Sequence, residues 1–153
     1  MDLARSNPRN RGENVIMVPP RMSHIRLIIA DDDPGIREAL RMIAEDLGAE
    51  ILAEADNGCA AIREAELHHP QVLLLDASMP VMGGFPAARY LHEHIPELRI
   101  IVISQHNLKA YAEEALQIGA KGYLLKAAVA RELGPAMDAV MDGGTFVSPS
   151  ISH

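Results

Sequence analysis

The stretch Val72–Pro80 reads VLLLDASMP, and it indicates how this chain folds. Four apolar residues in succession lead directly into one carboxylate, Asp76, and Pro80 follows shortly after. A continuous apolar run that ends at a turn signal is typical of a strand buried on both faces of a sheet. Because an unpaired carboxylate is costly to remove from water, Asp76 either faces solvent at the end of the strand or meets a cationic partner.

The same pattern repeats along the chain. Short apolar runs alternate with segments whose apolar residues recur at helical spacing. We predict strands at Ile25–Ala30, Ile51–Ala55, Val72–Leu75, Ile100–Ile103 and Gly122–Leu125. Strands of this kind with helical crossovers predict an α/β fold, a three-layer doubly wound sheet of five parallel strands.

Proline and glycine mark the predicted helix boundaries. Asp33 and Pro34 have the residue types of an N-cap and a first helical residue, and Gly48 is placed to end that helix. The last predicted helix contains Gly134 and Pro135. Proline costs about 3 kcal/mol in a helix interior, so we expect a kink there or a helix that begins only near Pro135.

Composition narrows the class of protein. The chain has 153 residues, 48% of them hydrophobic, and a formal net charge of −7, which argues against non-specific nucleic-acid binding. Its single cysteine rules out an internal disulfide framework and favours a reducing, cytoplasmic location. No apolar run approaches the roughly 20 residues needed to span a membrane. Residues 1–23 are arginine-rich, lack the apolar core of a secretory signal and are predicted to be a disordered extension, with Met17 and Met22 as alternative starts.

Polar side chains follow four of the five predicted strands. Asp31, Asp32 and Asp33 follow the first strand, Asp76 the third, Ser104 the fourth and Lys126 the fifth. Because the carboxyl ends of parallel strands meet at one edge of a sheet, these groups are expected to form one pocket. Clustered carboxylates need a compensating cation, and hard oxygen ligands suit Mg²⁺ better than Zn²⁺. A carboxylate in such a site can become an aspartyl phosphate.

The residues of this pocket stand in recognisable motifs. The chain reads LIIADDDPGIREAL from Leu27, VLLLDASMPVMGG from Val72, IIVISQHN from Ile100 and GAKGYLLK from Gly119. In this order they resemble the receiver domain of two-component response regulators. The segment MDGGTFVSPSI, from Met141, is similar to the end of the receiver in the NarL/FixJ (LuxR-type) subfamily. The resemblance covers about residues 25–146.

The resemblance implies a role for each pocket residue. Asp76 is the phosphoacceptor, which takes its phosphoryl group from a sensor histidine kinase. The implied Mg²⁺ ligands are Asp32, Asp76 and the backbone carbonyl of Ser78, with Asp31 acting through water and with Mn²⁺ as a substitute metal. Lys126 contacts the phosphoryl group, and Ser104 and Tyr123 are the switch residues. From the residues alone, Tyr123 could instead be a half-exposed aromatic of the strand.

The resemblance also implies an architecture and partners. It implies a flavodoxin-like strand order of 2-1-3-4-5, a receiver over residues 24–146 and the start of a linker or tail at 147–153. It implies a signalling domain rather than an enzyme, with self-phosphorylation from small donors, autodephosphorylation and a switched face made by the fourth helix, fifth strand and fifth helix. A homodimer could form through that face or another.

The output of the longer parent would be transcriptional, but the sequence as given stops at His153 and lacks the helix-turn-helix domain. This chain is therefore expected to bind no nucleic acid and no membrane. One alternative is a receiver-like module that binds partners without phosphorylation. The other is a phosphatase with an aspartate nucleophile, but that class needs a second acid two residues on, where Ser78 stands.

Overall fold

The computed structural model describes residues 25–151. The predicted N-terminal extension lies outside this range. Within it, six strands and five α-helices alternate. The strands are β1 (Arg26–Ala30), β2 (Glu50–Ala55), β3 (Val72–Asp76), β4 (Arg99–Ser104), β5 (Gly122–Leu125) and β6 (Phe146–Val147). The helices are α1 (Pro34–Asp46), α2 (Gly58–His68), α3 (Gly84–His94), α4 (Lys109–Gln117) and α5 (Val129–Met141).

The strands form one parallel sheet in the order β2-β1-β3-β4-β5-β6. The prediction of a doubly wound parallel sheet with the order 2-1-3-4-5 is therefore confirmed. A sixth strand of two residues extends the sheet beyond β5, where Val147 pairs with Tyr123. This short strand was not anticipated, because two residues carry no readable periodicity.

Each central strand is buried on both faces, as its continuous apolar sequence predicts. Alternate residues of β3 belong to opposite hydrophobic cores: Leu73 and Leu75 lie with α2, α3 and α4, whereas Val72 and Leu74 lie with α1 and α5. All four are 0% exposed. Helices cover both faces of the sheet. Polar side chains are therefore expected at the ends of the strands.

The ends of α1 follow the sequence signals. Asp33 is the N-cap, and its Oδ1 accepts a hydrogen bond from the Gly35 amide at 2.8 Å. Pro34 is the first helical residue. Just beyond the helix, Gly48 has a φ of +93°, which glycine adopts without the penalty that a Cβ imposes.

Of the two expectations for the last helix, a start only near Pro135 is wrong, whereas a kink at Pro135 stays a prediction. Helix α5 runs without interruption from Val129 to Met141, with Pro135 in its second turn. Pro135 is exposed, so the carbonyl that loses its partner there can bind water. The neighbouring residues Leu133, Ala136 and Met137 are each 0% exposed, and their burial holds the helix together across the proline. No helix among residues 25–151 is long and apolar enough to cross a membrane.

Candidate functional site: an acidic pocket at the carboxyl edge of the sheet

The carboxyl ends of four strands meet at one edge of the sheet. Asp76 is the last residue of β3 and Ser104 the last of β4, while Asp31 directly follows β1 and Lys126 directly follows β5. The strands are parallel and in register, with Ala30 opposite Leu75 in the β1–β3 pair. Residues that are far apart in sequence are therefore brought side by side, as the sequence predicts.

Three aspartates form the acidic part of the pocket. Asp31, Asp32 and Asp76 each offer a carboxylate oxygen, and these oxygens all lie within 4.8 Å of one another. Asp31 and Asp76 are 0% and 2% exposed, whereas Asp32 is exposed to solvent. Two buried carboxylates and one exposed one at this spacing repel each other unless a cation offsets their charge.

Asp76 is buried and Lys126 is its cationic partner, so the alternative that Asp76 faces solvent is wrong. The Lys126 Nζ lies 3.3 Å from Oδ1 of Asp76 and 3.4 Å from Oδ2 of Asp31. Burial acts to lower the pKa of the Lys126 ammonium, but Asp76 and then Asp31 outweigh burial and raise that pKa above its ordinary value. Lys126 therefore stays charged between the two carboxylates and joins the ends of β1, β3 and β5.

One ammonium does not neutralise the pocket. Burial, reinforced by the charge of Asp31, raises the pKa of Asp76 to about 6, although the Ser78 amide and Lys126 act to lower it. Apart from the ion pair with Lys126, neither Oδ2 of Asp31 nor Oδ2 of Asp76 accepts a hydrogen bond within residues 25–151. Buried carboxylate oxygens without donors are the observation that fits a hard divalent cation.

The other carboxylate oxygens are held by the backbone. The Asp33 amide donates to Oδ1 of Asp31 at 2.9 Å, and the Ser78 amide donates to Oδ1 of Asp76 at 3.2 Å. These contacts orient each carboxylate so that its Oδ2 is left for another partner. They also place Ser78, which is exposed, beside Asp76 at the rim of the pocket.

The loop that carries Asp76 approaches its neighbours closely. A Cβ at Gly84 would come 2.3 Å from the carbonyl oxygen of Asp76, and a Cβ at Gly58 would come 2.5 Å from the carbonyl oxygen of Met82. The Gly58 amide donates to that Met82 carbonyl at 2.7 Å. Glycine at both positions therefore allows the loop after β3 to pack against α2 and α3 without steric conflict.

Ser104 lies in a second polar group beside the acidic cluster. Its Oγ accepts a hydrogen bond from the His106 amide at 3.0 Å, and the carbonyl of His106 accepts one from the Tyr123 hydroxyl at 2.8 Å. Tyr123 is 0% exposed, so the reading of it as a half-exposed aromatic is wrong. A cavity of about 120 Å³ adjoins these side chains, with Phe85 and Tyr111 also in its wall.

The structure thus brings together Asp31, Asp32, Asp76 and Lys126, with Ser104 and Tyr123 alongside. Sequence reasoning did not single out Arg37, whose Nη1 donates to the backbone carbonyl of Asp31 at 2.7 Å. The position of Arg37 in the first turns of α1 could have indicated this contact, because a long side chain there points back towards the helix N-terminus. Its contact holds the backbone of Asp31.

Comparison with known proteins shows the family to which this chain belongs. The family model described as the response regulator receiver domain matches residues 27–138. The transcriptional regulatory protein DegU of Brevibacillus brevis is 34% identical over 130 residues, which cover 84% of this chain and 55% of DegU. More broadly, the relatives are response regulators of the NarL, DegU and LuxR type. The chain spans 55 to 63% of the length of the first such relatives.

Solved structures of response regulators are also similar to this chain. A two-component response regulator of the LuxR family from Aurantimonas sp. SI85-9A1 is 32% identical and superposes with a TM-score of 0.79, covering 84% of this chain and 93% of that one. The isolated receiver domain of RcsB from Salmonella enterica serovar Typhimurium, determined with the phosphomimetic BeF₃⁻, is 28% identical with a TM-score of 0.77. It covers 84% of this chain and 96% of the RcsB domain.

Proposed function

The chain belongs to the response regulator receiver domain family, and on that premise we propose that Asp76 accepts a phosphoryl group from a sensor histidine kinase. Domains of this family generally act in signalling rather than as catalysts, and response regulators are phosphorylated by histidine kinases. The observation that carries the proposal for this chain is the buried Asp76 carboxylate, with one oxygen held by Ser78 and Lys126 and the other without a donor.

Phosphoryl transfer requires little covalent chemistry from the protein. A carboxylate oxygen of Asp76 attacks the phosphorus of the kinase phosphohistidine, the P–N bond breaks, and its electron pair leaves with the imidazole nitrogen. Lys126, already between Asp31 and Asp76, offsets the charge that the incoming phosphoryl group brings. The backbone contacts of Asp31 and Asp76 keep the two carboxylates in place during the transfer.

Receiver domains generally bind Mg²⁺ at an acidic pocket of this kind. In this chain Asp32, Asp76 and the backbone carbonyl of Ser78 would hold the metal directly, and Asp31 would do so through water. When bound, Mg²⁺ supplies positive charge to the phosphoryl oxygens and to the crowded carboxylates, and Mn²⁺ can substitute for it. The support for this assignment is the set of all-oxygen ligands and the two carboxylate oxygens without donors.

Phosphorylation would then act through Ser104 and Tyr123. The added group carries about −1.5 to −2 charges and three strong acceptor oxygens, so the Ser104 hydroxyl is expected to turn towards it. Ser104 now accepts from the His106 amide, and Tyr123 bonds to the carbonyl of the same residue. A movement of Ser104 would therefore reach Tyr123 and shift the balance between two packings of α4, β5 and α5.

The wider setting is also part of the proposal. Relatives of this chain form dimers, and a homodimer through α4, β5 and α5 or another face would follow the same pattern. In a longer parent the regulated output would be transcriptional, and the location cytoplasmic.

The deciding experiment is the intact mass of the protein after incubation with Mg²⁺ and acetyl phosphate, for the wild type and for Asp76→Asn. We expect one phosphoryl group to be added to the wild type, only when Mg²⁺ is present, and none to the variant. Asp46→Asn is the matched control, because it removes an exposed carboxylate at the end of α1, and this variant should still be modified. A folded wild type that gains no phosphoryl group would contradict the proposal and favour a binding module that works without phosphorylation.

A further inference from the structure

A second buried polar pair lies outside the acidic pocket, in the segment that follows α5. Ser148 comes directly after β6 and is 2% exposed, and Glu132 lies in the first turn of α5 and is 8% exposed. The Ser148 hydroxyl donates to Oε1 of Glu132 at 2.5 Å. A short hydrogen bond between two buried side chains holds both of them in one geometry. Neither residue contacts the carboxylates of the pocket in any described hydrogen bond.

Ser148 also continues the hydrogen bonding of β5. Its amide donates to the carbonyl of Tyr123 at 2.9 Å, and its Oγ accepts from the amide of Leu125 at 3.0 Å. The strand β6 ends at Val147 and pairs only with Gly122 and Tyr123. At Leu125 the side chain of Ser148 therefore takes the place that a backbone carbonyl of the neighbouring strand would have.

These contacts enclose the turn that carries Lys126. Leu125 is the residue before Lys126, and the single 3₁₀ turn of residues 126–128 leads directly into α5. Ser148 holds the chain before this turn through Leu125 and after it through Glu132. The turn has no side-chain cap of its own, and the two Ser148 side-chain hydrogen bonds lie on either side of it.

We propose that Ser148 and Glu132 are positioning residues for phosphoryl transfer, because they fix the backbone from which Lys126 reaches Asp31 and Asp76. The proposal rests on the function proposed above. Through Ser148 it assigns a role in the reaction to residues 147–153, for which the resemblance implied the start of a linker or tail. A misplacement of about 1 Å at a reacting centre can slow a reaction by about a hundredfold, even when the substitution lies far from the chemistry.

The test compares matched substitutions in the full chain. Ser148→Ala removes the hydroxyl, and Ser150→Ala removes an exposed hydroxyl two residues away as the control. Glu132→Met removes the acceptor at similar size, while Glu132→Gln keeps an oxygen that can accept from Ser148. The measurements are the rate of Mg²⁺-dependent phosphoryl addition from acetyl phosphate, the Kd for Mg²⁺ and the exchange rate of the Leu125 amide by NMR.

We expect Ser148→Ala and Glu132→Met to slow phosphoryl addition by about tenfold. Their Kd for Mg²⁺ should stay within about twofold of the wild type, since Lys126 is not among the residues assigned to the metal. Ser150→Ala and Glu132→Gln should stay close to the wild-type rate. The Leu125 amide should exchange faster in Ser148→Ala, because it has lost its acceptor.

If the wild type is phosphorylated, two results would overturn the inference. One is a wild-type rate in Ser148→Ala. The other is a loss of rate and of Mg²⁺ affinity together, with Glu132→Gln as impaired as Glu132→Met, since that pattern reports general destabilisation. If the wild type gains no phosphoryl group at all, the proposed function fails instead. In that case the exchange rate of the Leu125 amide and the NMR shift of the Lys126 amide test whether Ser148 holds the backbone before Lys126. Unchanged values of both in Ser148→Ala would reject that role.

Discussion

At the scale of the residue, burial of Asp76 makes the charged form of its carboxyl group unfavourable. The side chain is 2% exposed, lies beside Asp31, and has its pKa raised from 3.8 to about 6. The folded protein therefore binds the Asp76 proton more tightly than the unfolded chain does. The stabilising contribution of this group is present at low pH and is lost as the pH rises through about 6.

This linkage predicts the effect of Asp76→Asn on stability without metal. At pH 7.5 the wild type carries the full cost of a buried charge, so the variant should be more stable by about 1–3 kcal/mol. The difference should shrink as the pH falls from 6 towards 4, where the wild-type carboxyl group is protonated. Urea unfolding in EDTA at several pH values measures both quantities.

A matched control distinguishes the effect of removing a buried carboxylate from the effect of removing any carboxylate. Glu97→Gln removes a carboxylate that is exposed in a loop, and it should change the free energy of unfolding little at any of these pH values. An advantage of Asp76→Asn that is the same at pH 4 and pH 7.5 would show that the carboxyl group is not penalised by its burial.

At the scale of the element, α3 and α5 differ in the space that is available for a side chain at a glycine position. Gly84 is the first residue of α3, and a Cβ there would meet the Asp76 carbonyl at 2.3 Å, which is backbone and cannot move aside easily. Gly134 lies inside α5, and a Cβ there would meet only Leu47 at 3.4 Å, an ordinary contact distance. The same substitution should therefore have opposite effects in the two helices.

We expect Gly84→Ala to destabilise the protein by about 2 kcal/mol or more, since the clash must displace the loop after Asp76. Gly134→Ala should be neutral or should stabilise by up to about 1 kcal/mol, because alanine favours the helix interior. Thermal unfolding of the two variants beside the wild type makes the comparison. Equal effects would contradict the close approach of α3 to β3.

A substitution at Pro135 tests how α5 tolerates a proline in its interior. Helix α5 passes through this exposed proline without a break, so Pro135→Ala should restore a backbone hydrogen bond. Allowing for the greater freedom of the unfolded chain, we expect a gain of about 1–2 kcal/mol, seen as a higher Tm. Pro149→Ala is the control, because Pro149 lies outside any helix and its removal should not raise the Tm. A lower Tm for Pro135→Ala would mean that the helix depends on the proline.

At the scale of the whole molecule, the acidic pocket should couple metal binding to stability. A cation that binds only the folded chain stabilises it by about 2.7 kcal/mol at one hundred times its Kd. We therefore expect Mg²⁺ to raise the Tm of the wild type in a concentration-dependent way. Asp32→Asn should abolish most of this rise while leaving the apo protein folded, because Asp32 is exposed.

KCl at matched ionic strength should not reproduce the effect of Mg²⁺, and Glu97→Gln should keep it. If Asp32→Asn responded to Mg²⁺ as the wild type does, the metal would bind somewhere other than the cluster of Asp31, Asp32 and Asp76.

The succession of strands and helices along the chain, and the sheet edge where the polar residues meet, could be predicted from the sequence. Hydrophobic periodicity is a local property, and parallel strands place their carboxyl ends together whatever side chains they carry. Asp76 and Lys126 could therefore be predicted to share a pocket from VLLLD and GYLLK alone. The local sequence could not decide whether α5 continues through Pro135 or begins near it, because that choice depends on the burial of the neighbouring residues.

The contacts between individual side chains, in contrast, depend on the three-dimensional packing of the chain. Lys126 lies between Asp31 and Asp76, Tyr123 is buried against His106, and Ser148 bonds to Glu132. Each of these contacts joins residues that are distant in sequence, and each depends on side-chain directions that periodicity does not specify. They follow from packing two helix layers on one twisted sheet, which is a property of the whole chain.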